Sequence, residues 1–151
     1  MQREGTSTLT SGEGTDNFFE AQLHQLETFA AQRDGKPGRV ALGRVIVPFD
    51  SADARTRRRY AEYAAGRHER TLRAHGERRT LFASDIVGTS EQILEQLLRD
   101  SILAGIRELR LELPYDFKQE EYEQIITDFV DRITPTLGWR RHPKPTASAA
   151  E

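Results

Sequence analysis

The chain has 151 residues, of which 36% are hydrophobic and 30% charged, and its 22 Lys and Arg against 24 Asp and Glu leave a net charge of −2. That is about one domain of chain with a lean core, since ordinary domains are roughly 45–50% apolar on a count that includes Gly. The near-neutral charge excludes a bulk electrostatic nucleic-acid binder, though not a local basic patch. The absence of Cys excludes disulfides, thiolate zinc sites and cysteine nucleophiles.

Residues 1–16 alternate Gly with hydroxyl side chains and carry Leu9 as the one bulky apolar residue after Met1. Such a segment buries too little to offset its ordering entropy and is expected to be mobile. The start also lacks the apolar stretch of a secretory signal. Asp16 is placed to cap a helix running to about Gln32, with Phe19, Leu23, Leu26 and Ala30 as its apolar stripe. Arg33-Asp34-Gly35-Lys36-Pro37-Gly38 stops it. Val40–Val47 is β-branched and almost continuously apolar, broken only by Gly43 and Arg44, which predicts a strand covered on both faces as in parallel sheets.

Beyond Pro48, Asp50 or Ser51 caps an Arg-rich helix expected over 52–73, with Asp53 in its first turn and Tyr60, Ala61, Ala64 and Ala65 as its best face. Residues 79–86 read as loop or short strand. Thr89 and Gln92 form a capping box ahead of Ile93, Leu94, Leu97, Leu98 and Ile102, and Gly105 stands where a C′ glycine belongs. Leu109, Leu111 and Leu113 alternate with Arg110 and Glu112 as in a strand, which Pro114 stops. A last helix presents Tyr122, Ile125, Ile126, Phe129, Val130 and Ile133 and ends near Pro135, and Leu137-Gly138-Trp139 reads as a buried tail. Residues 141–151 are polar and expected to be disordered. The order of elements predicts an α/β fold of parallel βα units over 17–140. No apolar run approaches the roughly 20 residues of a membrane span, and a cytoplasmic location is expected.

Catalytic motifs are missing. There is no dinucleotide or phosphate loop after a strand and no Gly-x-Ser-x-Gly elbow, and Gly12-Glu13-Gly14 follows no strand. His24, His68, His75 and His142 include no i, i+4 pair to hold a metal, so none is expected. Arg55–Arg79 holds nine Arg against Glu62, Glu69 and Glu77 with Tyr60 and Tyr63 interleaved. That pattern fits an anion-binding face and equally a solvated one, in a chain that uses Arg in preference to Lys throughout. Glu108, Arg110 and Glu112 lie opposite the leucines of the last strand. They face either a barrel interior, with Glu112 and Tyr115 lining its mouth, or solvent from an edge strand.

Val87-Gly88-Thr89-Ser90-Glu91-Gln92, the helix closing at Ala104-Gly105-Ile106, the strand Glu108–Pro114 and the closing Pro135-Thr136-Leu137-Gly138-Trp139 together resemble the carboxy-terminal end of the luciferase-like flavin-dependent monooxygenases. The upstream helix, strand and Ser-x-x-Ala helix resemble that family's preceding βα unit. The resemblance implies the last part of a (β/α)8 TIM-type barrel, incomplete here, because such barrels need about 250 residues. It implies FMN or F420 as cofactor and a small organic substrate, but only for a completed barrel, because the family's flavin-contacting positions come from earlier strands. It carries over no catalytic residue, and leaves Glu112 and Tyr115 as candidate pocket-lining residues. A chain of this kind is expected to be inactive alone and to self-associate or to need a missing N-terminal portion. The alternative is a non-enzymatic α/β module whose Arg-rich segment 52–79 meets an anionic partner.

Overall fold

The structure is a computed structural model that describes residues 2–5, 8–10, 15–34, 36 and 38–140. In chain order its elements are β1 (Gln2–Gly5), β2 (Thr8–Thr10), α1 (Phe18–Ala31), β3 (Arg39–Pro48), α2 (Ala54–Arg67) with a 3-10 turn at His68–Thr71, β4 (Thr80–Phe82) and β5 (Ile86–Gly88). They continue with α3 (Ser90–Arg99), α4 (Ser101–Ala104), β6 (Glu108–Glu112) and α5 (Gln119–Asp128), which runs into a π turn at Phe129–Ile133.

β3 is the organising strand, and β1, β5 and β6 all pair with it in parallel. Residues Ala41 to Pro48 are all buried, as the almost continuous apolar run predicts, and the burial includes Gly43 and Arg44. On one face Ile46 packs with Ile86, Ile93, Leu97, Phe129 and Ile133, joined by Leu109 and Leu111 of β6. On the other, Val45 and Val47 pack with Ala52, Tyr60 and Ile125. The fold is therefore mixed α/β, a parallel sheet with helices on both faces. β2 and β4 form a separate antiparallel pair.

The polar start holds more structure than its composition predicts. Main-chain pairing places Gln2–Gly5 beside Arg39–Leu42 and Thr8–Thr10 beside Thr80–Phe82. Backbone hydrogen bonding of this kind is open to any residue type but Pro and does not depend on side-chain polarity. Residues 1, 6, 7, 11–14, 35, 37 and 141–151, including Gly12-Glu13-Gly14, Gly35 and Pro37 of the expected helix stop, His142 and the expected disordered tail, lie outside the described residues.

Several local expectations are corrected by long-range partners. Asn17, not Asp16, caps α1, accepting from the Phe19 and Glu20 amides at 2.9 and 3.2 Å. Asp16 instead accepts from the Arg79 guanidinium at 3.0 Å and the Ala74 amide at 3.2 Å. The buried stripe of α1 is Phe18, Ala21, Gln22 and Phe29, while Phe19 and Leu23 are exposed. The helix is turned because Arg44 is wholly buried in β3 and draws the Gln22 side chain inward, donating to its oxygen at 2.6 Å. Arg44 also lies over the Phe18 ring at 5.4 Å and 3.7 Å from Asp100.

α2 is capped by Asp53, which accepts from the Thr56 amide at 2.7 Å, and is shorter than the 52–73 span. Asp50 and Ser51 are engaged elsewhere: Asp50 accepts from the amide and hydroxyl of Ser90 at 2.8 and 2.9 Å, and Ser51 donates to Asp128. Tyr60 is the buried residue of α2, whereas Ala61 and Ala65 face solvent. The stretch 79–86 contains the whole of β4 and the first residue of β5. The Thr89–Gln92 capping box forms as expected, with both reciprocal bonds present. The helix behind it breaks at Asp100, whose carboxylate recaps α4 through the Ile102 amide at 2.9 Å. Gly105 keeps a right-handed φ of −90°, so it is not a left-handed C′ glycine. Trp139 and Leu137 are exposed rather than buried.

Candidate functional site

The two residues singled out at the end of the last strand have different surroundings. Glu112 ends β6 on the sheet face opposite the leucines, and its carboxylate lies directly over Gly43, where a Cβ would collide with it. Arg110 is 3.4 Å away on the same strand, and the Glu112 side chain is only 22% exposed. Gly43 therefore acts as a seat for the carboxylate. Tyr115 is 69% exposed. Its amide donates to the Tyr63 hydroxyl at 3.3 Å, and its ring lies 5.9 Å from the Arg67 guanidinium.

Around Tyr115 the loop after β6 and the helix α2 build an arginine–aromatic cluster. Phe117 stacks on Tyr60 at 5.1 Å and meets Tyr63 edge-on at 5.1 Å. Arg59 lies over Phe117 and pairs with Glu121 at 2.7 Å. Arg67 lies 4.7 Å over Tyr63 and pairs with Asp85 at 2.7 Å. Burial raises the pKa of the Tyr60 phenol, with Glu121 adding to the effect, and burial likewise raises that of Tyr63. Both phenols therefore stay protonated at neutral pH and serve as hydrogen-bonding core rather than as bases.

The same contacts decide what the Arg-rich segment offers. Arg57 donates to the Ala52 and Asp50 carbonyls, each at 2.8 Å. Arg59 and Arg67 hold carboxylates, Arg79 holds Asp16, and Arg70 lies 4.4 Å over Phe82. Arg55, Arg58, Arg73 and Arg78 remain exposed.

Ligands of parallel α/β sheets usually bind beyond the carboxyl ends of the strands. Here that region is crossed by internal bonds: Asp50 to Ser90, Ser51 to Asp128, Gln124 to the Pro48 carbonyl at 2.9 Å, and the Tyr60 hydroxyl to Gln124 at 2.7 Å. Asp128 is 2% exposed. Burial pushes its pKa up, but donation from Ser51 and Gln124, with the Arg132 charge nearby, outweighs this and holds it below the usual carboxylate range. Among the described residues no three His, Asp or Glu converge as metal ligands do, and no helix is long and apolar enough to cross a membrane.

An opening lies on the opposite side of β6. A cavity of about 640 Å³ runs between α3, α4, β6 and the π turn, lined by Leu97, Leu103, Leu109, Leu111, Phe129 and Trp139, with Arg107 and Glu108 at its edge. It is open and chiefly apolar, and suits the burial of apolar surface rather than bond chemistry. The sequence signals that bear on it are the alternation of Leu109 and Leu111 and the single tryptophan, 28 residues beyond. Their convergence depends on how α5 returns across the sheet.

No family model matches the chain, and a search of curated proteins finds no matching relative.

Proposed function

We propose that this chain supplies the closing βα units of a luciferase-like flavin-dependent monooxygenase barrel and is not a working enzyme by itself. The observation that carries the reading is the order β5, α3, α4, β6, α5, with β5 and β6 both parallel to β3. It follows the element order that the Ile86–Trp139 resemblance implies. In this reading FMN or F420 and a small organic substrate bind only when earlier βα units complete the barrel, and the protein works in the cytoplasm. In this reading Glu112, seated on Gly43, and the exposed Tyr115 are pocket-lining residues only once the earlier βα units are present.

Titration of the purified chain with FMN and with F420, followed by flavin fluorescence and calorimetry, tests it. No stoichiometric binding is expected from the chain alone. Co-expression with the earlier βα units of a luciferase-like barrel is expected to produce a flavin-binding complex. Tight stoichiometric binding by the chain alone would show that its site is complete, and failure of every such complex to form would remove the barrel reading.

The exposed Arg55, Arg58, Arg73 and Arg78 favour one alternative, a face for an anionic partner. Binding to a polyanion that weakens steeply from low to moderate salt is the result that would select it.

A further inference from the structure

The cavity between α3, α4, β6 and the π turn reaches into the molecule rather than lying along its surface. Its lining includes Leu97 and Phe129, which are 4% and 8% exposed and belong to the core cluster around Ile46. It also includes Leu98 and Trp139, which are 62% and 49% exposed and mark its open side. At about 640 Å³ it falls within the roughly 300–1,000 Å³ of small-molecule pockets. An opening walled in depth by core side chains suits a compact apolar body better than a docked helix, which needs an extended groove.

The polar groups of the lining decide what else that body carries. Thr134 donates its hydroxyl to the Val130 carbonyl at 2.7 Å, and the Glu108 carboxylate is paired with Arg39. Arg107, in the bend between α4 and β6, is exposed and has no hydrogen bond, carboxylate or ring partner among the described residues. The Trp139 indole N–H likewise has no hydrogen-bond partner there. Both unengaged groups are donors, and one bears a full positive charge. The complement is an acceptor with negative charge, and a carboxylate matches the planar fork of a guanidinium.

We propose that this cavity is a binding site for an apolar monocarboxylate, its hydrocarbon body against Leu97, Leu109, Leu111 and Phe129 and its carboxylate on Arg107. Leu109 and Leu111 leave β6 on the face opposite Glu112, so the cavity lies outside the side that a completed barrel would enclose. Occupation of the cavity therefore does not require the flavin reading to hold.

Trp139 is the one tryptophan of the chain, so its emission reports on the cavity directly. The full 151-residue chain is titrated with cyclohexylbutyrate, with the shorter cyclohexylpropionate and with neutral cyclohexylbutyramide, none of which absorbs where tryptophan is excited. Cyclohexylbutyrate is expected to bind one-to-one by calorimetry, at about 1 mM or tighter, and to shift the Trp139 emission to the blue. Loss of one methylene is expected to weaken binding about fourfold. Loss of the charge in the amide is expected to weaken it about fivefold. Arg107→Gln is expected to remove the preference for carboxylate over amide while leaving the amide's affinity unchanged. Ala104→Phe, which adds a ring at an exposed position of the lining, is expected to weaken all three ligands about tenfold. If Ala104→Phe unfolds the chain, the three ligands and Arg107→Gln decide. Absence of saturable binding, equal affinity for the carboxylate and the amide, or a carboxylate preference that survives Arg107→Gln would overturn the proposal. So would a dimer in sedimentation that is lost on Ala104→Phe, in a chain that binds no carboxylate, because the cavity would then be a seam between copies.

Discussion

Arg67 of α2 grips Asp85 with two hydrogen bonds, Nε to Oδ2 at 2.7 Å and Nη2 to Oδ1 at 3.2 Å, and the Asp85 side chain is only 3% exposed. The two-pronged contact fixes the end of α2 against the segment that leads into β5. Removing one member of a buried pair leaves the other charge without compensation. Asp85→Ala is therefore expected to cost about 3 kcal/mol in urea unfolding. Arg67→Lys is expected to recover little, because an ammonium lacks the planar fork.

Gly43 and Glu112 form a second dependent pair. A methyl group at 43 would strike the Glu112 carboxylate, which must then swing away from its seat. Gly43→Ala is expected to cost about 1 kcal/mol in the native background. In a Glu112→Ala background the clash is gone, and the same change is expected to be neutral or slightly stabilising, since Ala restricts the unfolded chain more than Gly. Thermal unfolding of the four proteins of this cycle measures the coupling directly. Additive effects would show that Glu112 does not occupy the space over Gly43.

Asp128 gives the acid limb of stability a residue to test. Its folded pKa lies below the usual carboxylate value, for although burial raises it, the Ser51 and Gln124 donors outweigh that. A depressed folded value means the contribution is fully present above the unfolded aspartate pKa of about 3.9 and is lost as pH falls through the folded value. The wild-type chain is expected to lose stability below about pH 4. Asp128→Asn is expected to start from lower stability at pH 7 and to show a shallower acid limb. Denaturant midpoints from pH 7 to pH 2.5 check this, and parallel curves would remove Asp128 from the account.

The Thr89 cap is local, and its effect is expected to be local too. Its hydroxyl accepts from the Gln92 amide at 3.3 Å, while the Gln92 side chain accepts from the Thr89 amide at 2.9 Å. Thr89→Ala is expected to cost about 1 kcal/mol, close to the usual value for a lost N-cap. Hydrogen exchange should show the loss concentrated in the first turn of α3.

What could be read from the sequence follows the range of the interaction concerned. The Thr89–Gln92 box spans three residues and is visible in the chain itself, as is the two-sided burial of β3 in its run of apolar residues. The facing of α1 is not, because it is set by Arg44, which lies 22 residues beyond Gln22 and has to be paired once buried. Asp16, Asp50 and Ser51 are plausible local caps, yet each is taken by a partner far along the chain, at Arg79, Ser90 and Asp128 respectively. β1 escapes compositional reasoning because main-chain pairing with β3 does not register in side-chain polarity. Glu112 and Tyr115 are rightly placed at the end of β6. Their individual surroundings, the Gly43 seat and the Tyr63 hydroxyl, belong to other elements and are not visible in the local sequence.

Phe117 and Tyr115 stand two residues apart in the same loop and should respond oppositely to truncation. Phe117 is half-buried and touches Tyr60, Tyr63, Tyr122 and the Arg59 guanidinium, so it ties α2 to α5 through one ring. Its removal opens a hole that four large neighbours cannot all close, and Phe117→Ala is expected to cost about 3 kcal/mol. It also strips the aromatic face from Arg59, whose pairing with Glu121 should weaken with it. Tyr115 keeps its place through a backbone bond to the Tyr63 hydroxyl, which Ala preserves, and its exposed ring has only a distant contact with Arg67. Tyr115→Ala is therefore expected to stay within about 0.5 kcal/mol of wild type. Urea unfolding of the two variants separates them. A large loss at Tyr115 would mean that its ring is structural and would withdraw it as a residue left exposed for a completed barrel. A small one is what its exposure leads to, and keeps Tyr115 as a candidate pocket residue under the proposed barrel reading.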